Sequence, residues 1–579
     1  MRRPAVFSTS SAAMRIRNAS IYALGLLLFA SVAGCGKSDT STSASNSKAP
    51  SNEPIATVHW IGSRHLEALA NAAGFLKIWR LPESERLRAQ TLDKLALAPW
   101  ASPPTNTTIV ITNTAALVRA NPSASLLRPL LDDLVKEECY LEMRDAGGAT
   151  CQLALAVRLD AKRGALWENN LASVFESAAG ARRTNTLPGQ MGKGWKITSP
   201  NKPSSPLLGR IELERAGEWT VLGLAPEQNK VFTELVARVQ RSPDSFSGSA
   251  SSDWLQTAFD LPMLSAALSW ALDLPQDCPR VSLAVTGDGT NVVTRGQFHF
   301  AKPLPEIEPW NIPTNIIHEP LHSFTAVQGV KPWISSWSWW QNLHASSAPN
   351  QLFFWAQSGS PFLDYAAAPL ADAPKVMSKL GAGLMDTMNP ILASNRVGKW
   401  ERTGSDGVAW ARAPIIAPLV HSVSFPQGNF IFAGLSPLAI TNSPPPTATL
   451  HNLLSQHNVT YFDRELTGPR VEAWMYISQL FRIIFRREQL PAESASIPWL
   501  KAVAPLLGSS ATTARKTSQT DLSLSRTSTV GCTAVELHLL ADWLESPQFP
   551  RHLHSTLAKF PPLPPRRTGQ NGEGTLPGK

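Results

Sequence analysis

A five-residue segment of this chain has the spacing of a zinc-binding motif. His318, Glu319 and His322 stand in HEPLH, and on a helix the H-E-x-x-H spacing points two imidazoles at one Zn²⁺ while the glutamate acts as general base. Pro320 argues against this chemistry, because proline removes a backbone donor and disfavours the helical conformation at the residue before it. We therefore expect a loop leading into a strand over residues 323–327, and we keep a metal-dependent hydrolase using the two histidines as the alternative function.

No third metal ligand follows HEPLH at a usable place. Thr325 stands where the longer HExxHxxGxxH motif requires glycine, and no Asp or Glu occurs between Glu319 and Asp364. The sequence also lacks GxSxG, Walker A, GxGxxG and EF-hand motifs. We therefore expect no catalytic, cofactor-binding or metal-binding residue and no bound cofactor.

Tryptophan is concentrated next to this segment. Trp333, Trp337, Trp339 and Trp340 fall within eight residues. Exposed tryptophans can stack on sugars or lie at a membrane interface. Three of the four are spaced i, i+4, i+7, which places them on one face of a helix, so we expect them to pack in a core or between two parts of the fold.

Residues 472–487 (EAWMYISQLFRIIFRR) predict an amphipathic helix with a basic end. Such a helix can lie on a membrane surface. It is too short and too charged to span a bilayer. We expect it to dock on the fold through its apolar face.

The N-terminal region is typical of a bacterial lipoprotein export signal. Residues 14–35 (MRIRNASIYALGLLLFASVAGC) contain two arginines, a short apolar run and a small-residue cleavage site that ends at Cys35. The apolar run is about ten residues long, whereas a transmembrane helix needs about 20. We therefore predict that residues 1–34 are removed, that Cys35 carries the lipid, and that the protein is anchored in the cell envelope facing the periplasm. Gly36, which is not the inner-membrane retention signal Asp, favours the outer membrane.

Charge outside the folded body accounts for most of the formal net charge of +9. The export signal carries four arginines and no acid, and the segment after Ser546 carries a further +4. The remainder of the chain is near neutral, which is not the electrostatic pattern of a nucleic-acid-binding protein. Residues 35–54, rich in Ser, Thr, Asn and Pro, predict a flexible tether, and residues 546–579 predict a disordered Pro/Gly-rich tail.

Four cysteines remain after Cys35, namely Cys139, Cys151, Cys278 and Cys532. The periplasm permits disulfides, and four cysteines allow three pairings. Cys139 and Cys151 flank a predicted hairpin turn, so a bridge between them and four buried free thiols remain open alternatives.

The element pattern predicts an α+β fold made of two tandem similar halves, residues 55–305 and 306–545. Residues 217–226 (GEWTVLGLAP) align with residues 428–437 (GNFIFAGLSP) at a constant offset, and similar helix and strand patterns surround each copy. Lys399-Trp400 aligns with Lys193-Gly194-Trp195, and Phe462-Asp463 with Phe259-Asp260. Each half is expected to be an antiparallel sheet with helices packed on one face and to close with a strand pair, at residues 280–300 and 521–540.

Two further segments resemble a group of uncharacterised predicted bacterial envelope lipoproteins. These segments are residues 74–82 (GFLKIWRLP) and 91–96 (TLDKLA). The resemblance implies a signal peptide and no assigned activity. Together with the lipobox, it favours a non-catalytic binding or scaffold role in the periplasm, with an envelope protein or cell-wall glycan as partner and no nucleic acid.

Overall fold

The computed structural model describes residues 53–100, 113–147, 150–179, 181–185, 193–198, 209–242, 252–268, 278–337, 340–341, 343, 345, 347–438, 444–484, 494–545 and 549–550. The predicted export signal (1–34), Cys35, the tether apart from residues 53–54 and the tail apart from residues 549–550 lie outside the described residues. Trp339 lies outside them as well.

Twenty strands occur among the described residues, and they pair into one continuous sheet. They are β1 (Pro54–Trp60), β2 (Cys139–Gly147), β3 (Thr150–Arg158), β4 (Thr184–Asn185), β5 (Lys193–Thr198), β6 (Arg210–Ala216), β7 (Trp219–Ala225), β8 (Leu255–Asp260), β9 (Arg280–Gly287), β10 (Val292–His299), β11 (Leu321–Gln328), β12 (Gln351–Gln357), β13 (Asp364–Pro369), β14 (Lys399–Thr403), β15 (Gly407–Ala411), β16 (Leu419–Phe425), β17 (Gly428–Gly434), β18 (Val459–Leu466), β19 (Ser509–Lys516) and β20 (Asp521–Ser528).

Every pairing in this sheet is antiparallel. The strand order is β4-β5-β6-β7-β3-β2-β1-β8-β9-β10-β20-β19-β18-β11-β12-β13-β17-β16-β15-β14. We call β1–β10 with their helices the N-terminal half, and β11–β20 with theirs the C-terminal half. The two halves join edge to edge through β10 and β20, where Val292 pairs with Ser528.

Fourteen α-helices lie among the described residues, so the predicted mixed α+β class with a large antiparallel sheet is confirmed. They are α1 (Ser63–Leu66), α2 (Ala73–Trp79), α3 (Pro82–Leu97), α4 (Thr114–Ala120), α5 (Pro122–Lys136), α6 (Ala161–Ala179), α7 (Lys230–Arg241), α8 (Leu261–Leu268), α9 (Lys331–Ser336), α10 (Ala373–Asn395), α11 (Thr447–Leu454), α12 (Thr467–Ile484), α13 (Ser496–Val503) and α14 (Ala534–Glu545). Of these helices in the described part of the chain, none is both long enough and apolar enough to cross a bilayer.

Helix starts follow local capping chemistry. Asn121 precedes α5 and its side chain accepts a hydrogen bond from the Ala124 N–H at 3.0 Å, with Pro122 at the first helical position. Asn229 caps α7 in the same way by accepting from the Phe232 N–H at 3.0 Å. Each cap satisfies one of the N–H groups that a helix start leaves without a partner.

Helices pack on both faces of the sheet, so the expectation of helices on one face is wrong. Neighbouring residues of a strand point to opposite faces. On β7, Trp219 and Val221 pack against the buried face of α7, while Leu222 and Leu224 join a separate core cluster that contains Trp167 of α6. All seven residues of β7 are buried, and all but Thr220 are apolar or glycine, which is the pattern of a strand covered on two sides.

The predicted strand pair over residues 521–540 is also wrong, because the second element is helix α14. Thr533 and Glu536 form a reciprocal capping box at its start. The Thr533 N–H donates to Glu536 Oε2 at 2.8 Å, and the Glu536 N–H lies 3.4 Å from Thr533 Oγ1. The T-x-x-E pattern that produces this cap is a helix signal, and the partner of β20 is instead β19.

The register of β2 and β3 excludes the Cys139–Cys151 bridge. Cys139 lies opposite Val157, and Cys151 lies opposite Asp145. The two cysteines are therefore six residues apart along the hairpin, roughly 20 Å, which is too far for a disulfide. The structure forms no disulfide among Cys139, Cys151, Cys278 and Cys532.

Candidate functional site

The HEPLH segment does not form a helix. The Glu319–Pro320 peptide bond is cis, and β11 begins at the next residue, so the expected loop leading into a strand is confirmed. Glu319 Oε2 accepts a hydrogen bond from the Leu321 N–H at 2.9 Å. The common helix face that a zincin needs for His318 and His322 is not formed here. Among the described residues, no group of three or more His, Cys, Asp or Glu is arranged to hold a metal ion.

The tryptophan segment divides between core and surface. Helix α9 ends at Ser336, so it does not carry the three tryptophans on one face as expected. Trp340 is buried and Trp337 is partly buried in the same cluster, whereas Trp333 is 48% exposed and contacts Trp337 with ring centroids 4.2 Å apart. Core packing is therefore confirmed for Trp340 and wrong for Trp333.

Helix α12 docks on the fold, as expected for residues 472–487 as far as Ile484. Val471, Ile477 and Leu480 are buried, while Tyr476 is 59% exposed on the opposite side. The docked face covers one side of a cavity in the C-terminal half.

This cavity has a volume of about 570 Å³ and lies in the C-terminal half, between the sheet and helices α10 and α12. Its volume is in the range of pockets that enclose small molecules. Most of its wall is apolar, and aromatic side chains contribute a large share of it. These are Phe354, Trp355, Tyr365, Trp400, Trp410, Tyr461, Trp474 and Phe481.

Four charged side chains line the same cavity. Asp364 is at the start of β13, and Asp463 and Glu465 are two residues apart on β18 and therefore share one face of the strand. Arg470, in the first turns of α12, places its Nη1 2.8 Å from Asp364 Oδ1. Thr325, on the neighbouring β11, donates its hydroxyl to Asp463 Oδ1 at 2.6 Å.

Glu465 is held at the start of helix α14. Its Oε1 accepts a hydrogen bond from the Ala534 N–H at 2.7 Å. A helix N-terminus carries partial positive charge and free N–H donors, so it stabilises a carboxylate. The capping box described above therefore also fixes the helix end that Glu465 contacts.

Burial raises the pKa of both carboxyl groups on β18. Burial raises the pKa of Asp463 to about 6, against the opposing effect of its hydrogen bond from Thr325. Burial and the nearby Asp463 charge raise the pKa of Glu465 to about 7. Burial also raises the pKa of Asp364, opposed by Arg470. Raised carboxyl pKa values inside a cleft are typical of functional sites.

Two carboxylate oxygens in this cavity have no hydrogen-bond partner within the described part of the chain. They are Asp463 Oδ2 and Asp364 Oδ2, and both atoms are buried. A buried acceptor without a donor costs free energy. Both oxygens belong to residues that line the cavity, and each lacks the donor that would offset the cost of its burial.

Sequence reasoning selected one titratable residue beside this site as a candidate and none of the four charged residues that line it. His322 is close enough to Arg470 and Asp364 to interact with their charges: burial and Arg470 lower its pKa, and Asp364 raises it. The four charged residues lie on three elements, separated by up to about a hundred residues. One sequence feature could have indicated the site. On β18 the acidic residues Asp463 and Glu465 occupy the buried positions and alternate with the exposed Arg464 and Leu466.

Comparison with known proteins gave no match to a protein family model, to a curated protein or to a solved structure.

Proposed function

We propose that this protein is a lipid-anchored protein of the bacterial cell envelope that binds a small molecule in the cavity of its C-terminal half. The observation that carries the proposal is a buried charged cluster in an otherwise apolar cavity. Buried charges are expensive to maintain, so a fold that keeps them is expected to use them. The two halves of the sheet, compared position by position, support this function.

We infer that the two halves are copies of one unit. From the junction outwards, the N-terminal half runs β10, β9, β8, β1, β2, β3, β7, β6, β5, β4, and the C-terminal half runs β20, β19, β18, β11, β12, β13, β17, β16, β15, β14. Each strand of the first series therefore has its counterpart ten strands later in the chain. On this comparison β15, rather than β14, takes the place of β5, and Val408 of β15 takes the position of Trp195.

Residues that lie directly opposite one another on neighbouring strands form a row across the sheet. The first row that supports the comparison crosses five strands. In the N-terminal half it consists of Thr257, Val58, Leu141, Leu155 and Leu222. In the C-terminal half the same positions hold Asp463, Thr325, Phe354, Ala366 and Ala433. Two leucines of the filled core therefore correspond to alanines, which leaves space beside a carboxyl group.

The next row supports the same conclusion. The N-terminal half has Phe259, Ala56, Met143 and Leu153, and the C-terminal half has Glu465, Ser323, Ala356 and Asp364. In this register Phe259 corresponds to Glu465. The sequence alignment had instead paired Phe259 with Phe462, three residues earlier in the chain.

The helix that follows adds a third position. Leu264 lies five residues after Phe259 and is buried in the N-terminal core, whereas Arg470 lies five residues after Glu465. Three buried apolar residues (Leu153, Phe259 and Leu264) thus correspond to an Asp, a Glu and an Arg. We propose that the N-terminal half is a filled scaffold and that the C-terminal half has opened the same place as a binding site.

Filling the cavity with the leucines of the N-terminal half tests the proposal. The full chain in lipid nanodiscs is titrated with the neutral probe 1-naphthalenemethanol by calorimetry, with empty nanodiscs as the blank. We expect Ala366→Leu/Ala433→Leu to weaken binding by about tenfold or more, because the added side chains occupy the probe's volume.

The matched control is Ala368→Leu, on the same strand and the same face as Ala366 but outside the cavity lining. It should bind the probe as the unaltered chain does. Absence of probe binding to the unaltered chain, or unchanged binding in the filled variant, would contradict the proposed binding site.

The anchor is tested separately from the cavity. When cells are labelled with palmitate, we expect the protein to take up label and to remain with the membrane fraction, and Cys35→Ser to lose both properties because the acyl chains have no attachment atom. Cys532→Ser is the control and should stay labelled. An unlabelled wild-type chain would show that the lipobox is not used.

A further inference from the structure

We infer that the ligand of this cavity is a small, largely apolar molecule that carries one cationic amine, held by Asp463 and Glu465. This inference rests on the proposed function, because it names the chemical class of the molecule that the cavity binds. It is carried by the balance of charge in the cavity, by an unpartnered buried oxygen and by the aromatic walls.

The charge balance of the lining is negative. Three carboxyl groups face the cavity and one guanidinium does, and that guanidinium, of Arg470, is already paired with Asp364 at 2.8 Å. The next arginine behind the site, Arg526, is held by Glu536 through two hydrogen bonds of 2.7 and 2.9 Å. No cation of this cluster is therefore paired at short range with Asp463, so the complementary ligand charge is positive.

Asp463 has the geometry to receive such a group. It is only 5% exposed, its Oδ1 accepts from the Thr325 hydroxyl, and its Oδ2 is buried without a partner among the described residues. An ammonium group provides three donors and no acceptor. It can bond to Asp463 Oδ2 and place its charge beside Glu465, two residues along the same strand face.

The walls favour an amine on an apolar body over a sugar or a carboxylic acid. Trp410 and Tyr461 line the cavity with other aromatic rings, and aromatic faces attract cations. The Arg470 guanidinium already lies 5.4 Å from the centroid of the Trp474 ring. A sugar would leave many hydroxyl groups against apolar walls, and an acid would meet the excess of carboxylates.

Proton release accompanies binding in this arrangement. Asp463 and Glu465 have pKa values of about 6 and about 7, so at pH 5 both are largely protonated and at pH 8 both are largely ionised. An amine therefore binds more tightly at pH 8 than at pH 5. The other charged or titratable groups that line the cavity or act on these two carboxyls are Asp364, Tyr461, Arg470, Arg526 and Glu536. Among these, burial keeps Tyr461 neutral throughout this pH range by raising its pKa.

The test compares three ligands that share one ring and differ in head group. 1-Naphthylmethylamine, 1-naphthalenemethanol and 1-naphthoic acid are titrated into the full chain in nanodiscs at pH 8 and pH 5, with empty nanodiscs as the blank. We expect the amine to bind about tenfold or more tightly than the alcohol at pH 8, with the acid weakest. At pH 5 the preference for the amine should fall to about threefold or less.

Asp463→Asn keeps the shape of the side chain and removes its charge. It should bring the amine and the alcohol to within about threefold of each other at pH 8, while binding of the alcohol remains. Asp406→Asn, at an exposed position outside the cavity, is the matched control and should keep the preference.

The results separate this inference from the proposed function. Equal binding of the three ligands, or tightest binding of the acid, overturns the amine assignment and leaves a binding cavity in place. Binding of none of them contradicts the proposed function as well. An amine preference that survives Asp463→Asn overturns the assignment of this carboxyl group.

Discussion

Replacing Arg470 with leucine is expected to lower the free energy of unfolding by about 3–5 kcal/mol, because Asp364 is then left as a buried charge without its partner. The side chain of Arg470 is 7% exposed and that of Asp364 is 20% exposed. Replacing both residues with leucine is expected to recover the loss or to exceed the original stability, since apolar side chains that fill the space of a buried ion pair are neutral to stabilising. Urea unfolding followed by tryptophan fluorescence measures both effects.

The inferred correspondence of the two halves provides a precedent for the double variant. On that inference, Leu153 and Leu264 take these two positions in the N-terminal half, where both are buried. Lys399→Leu is the matched control. It removes an ion pair with Glu401 in which both side chains are about half exposed or more, so it should cost less than about 1 kcal/mol. If Arg470→Leu costs no more than this control, the pair does not carry the buried charge that the structure assigns to it.

The double variant also separates stability from binding. The variant keeps Asp463 and Glu465, which are assigned to hold the amine, so a gain in stability is expected without loss of naphthylmethylamine binding. The cavity walls stay in place in this variant, because the added leucines enter at the charged end and the aromatic rings are unchanged.

Local features of this fold were predictable from the sequence because their causes are local. The β2–β3 hairpin is marked by Asp145, whose side chain accepts from the Gly147 N–H at 2.9 Å in the turn. The β9–β10 hairpin turns at Asp288, which accepts from the Thr290 and Asn291 N–H groups at 2.8 and 2.7 Å. Each uses residues a few positions apart, and such turns are readable from residue type alone.

The strand order could not be predicted in the same way. Strand β3 pairs with β2 and with β7, and β7 lies about sixty residues further along the chain. Which distant strands meet depends on how helices such as α6 and α7 cover the two faces, and one sequence does not contain that information locally. The two decapeptides, residues 217–226 and 428–437, each contain one strand, β7 and β17. The sequence did not show how the strands around them correspond, because loops of different length separate those strands.

The site was missed for a related reason. Its charged residues come together only when β13, β18 and α12 are placed side by side, and no short motif joins Asp364 to Glu465 or Arg470. Motif reasoning instead selected HEPLH, whose spacing has meaning on a helix. The strand that forms there still brings His322 within reach of the charges of Asp364 and Arg470.

The second large effect concerns pH. The prediction compares the free energy of unfolding of the unaltered chain with that of the double variant Asp463→Asn/Glu465→Gln. Between pH 5 and pH 8 the value for the unaltered chain is expected to fall by roughly 3–6 kcal/mol relative to the variant. In the unfolded chain both carboxyls ionise near pH 4, whereas in the fold they keep their protons until about pH 6 and about pH 7. In this window the folded chain still binds protons that the unfolded chain has already released, so rising pH favours the unfolded chain and stability is lost. A tenfold difference in proton affinity between the folded and unfolded chain corresponds to about 1.4 kcal/mol. The measurement is urea unfolding at half-unit pH steps.

Asp288 gives a control of opposite sign. Hydrogen bonds from Asn291 and Thr290 lower its pKa to about 2, so Asp288→Asn should lose stability at pH 7 and lose little near pH 2. Parallel curves for the unaltered chain and the double variant between pH 5 and pH 8 would contradict the raised pKa values of the β18 carboxyls.

The expected difference in stability also bears on binding, because the two charges that make the empty fold less stable at pH 8 are those that a bound amine would neutralise. Added 1-naphthylmethylamine should therefore stabilise the unaltered chain more at pH 8 than at pH 5, and should leave Asp463→Asn/Glu465→Gln with little difference between the two.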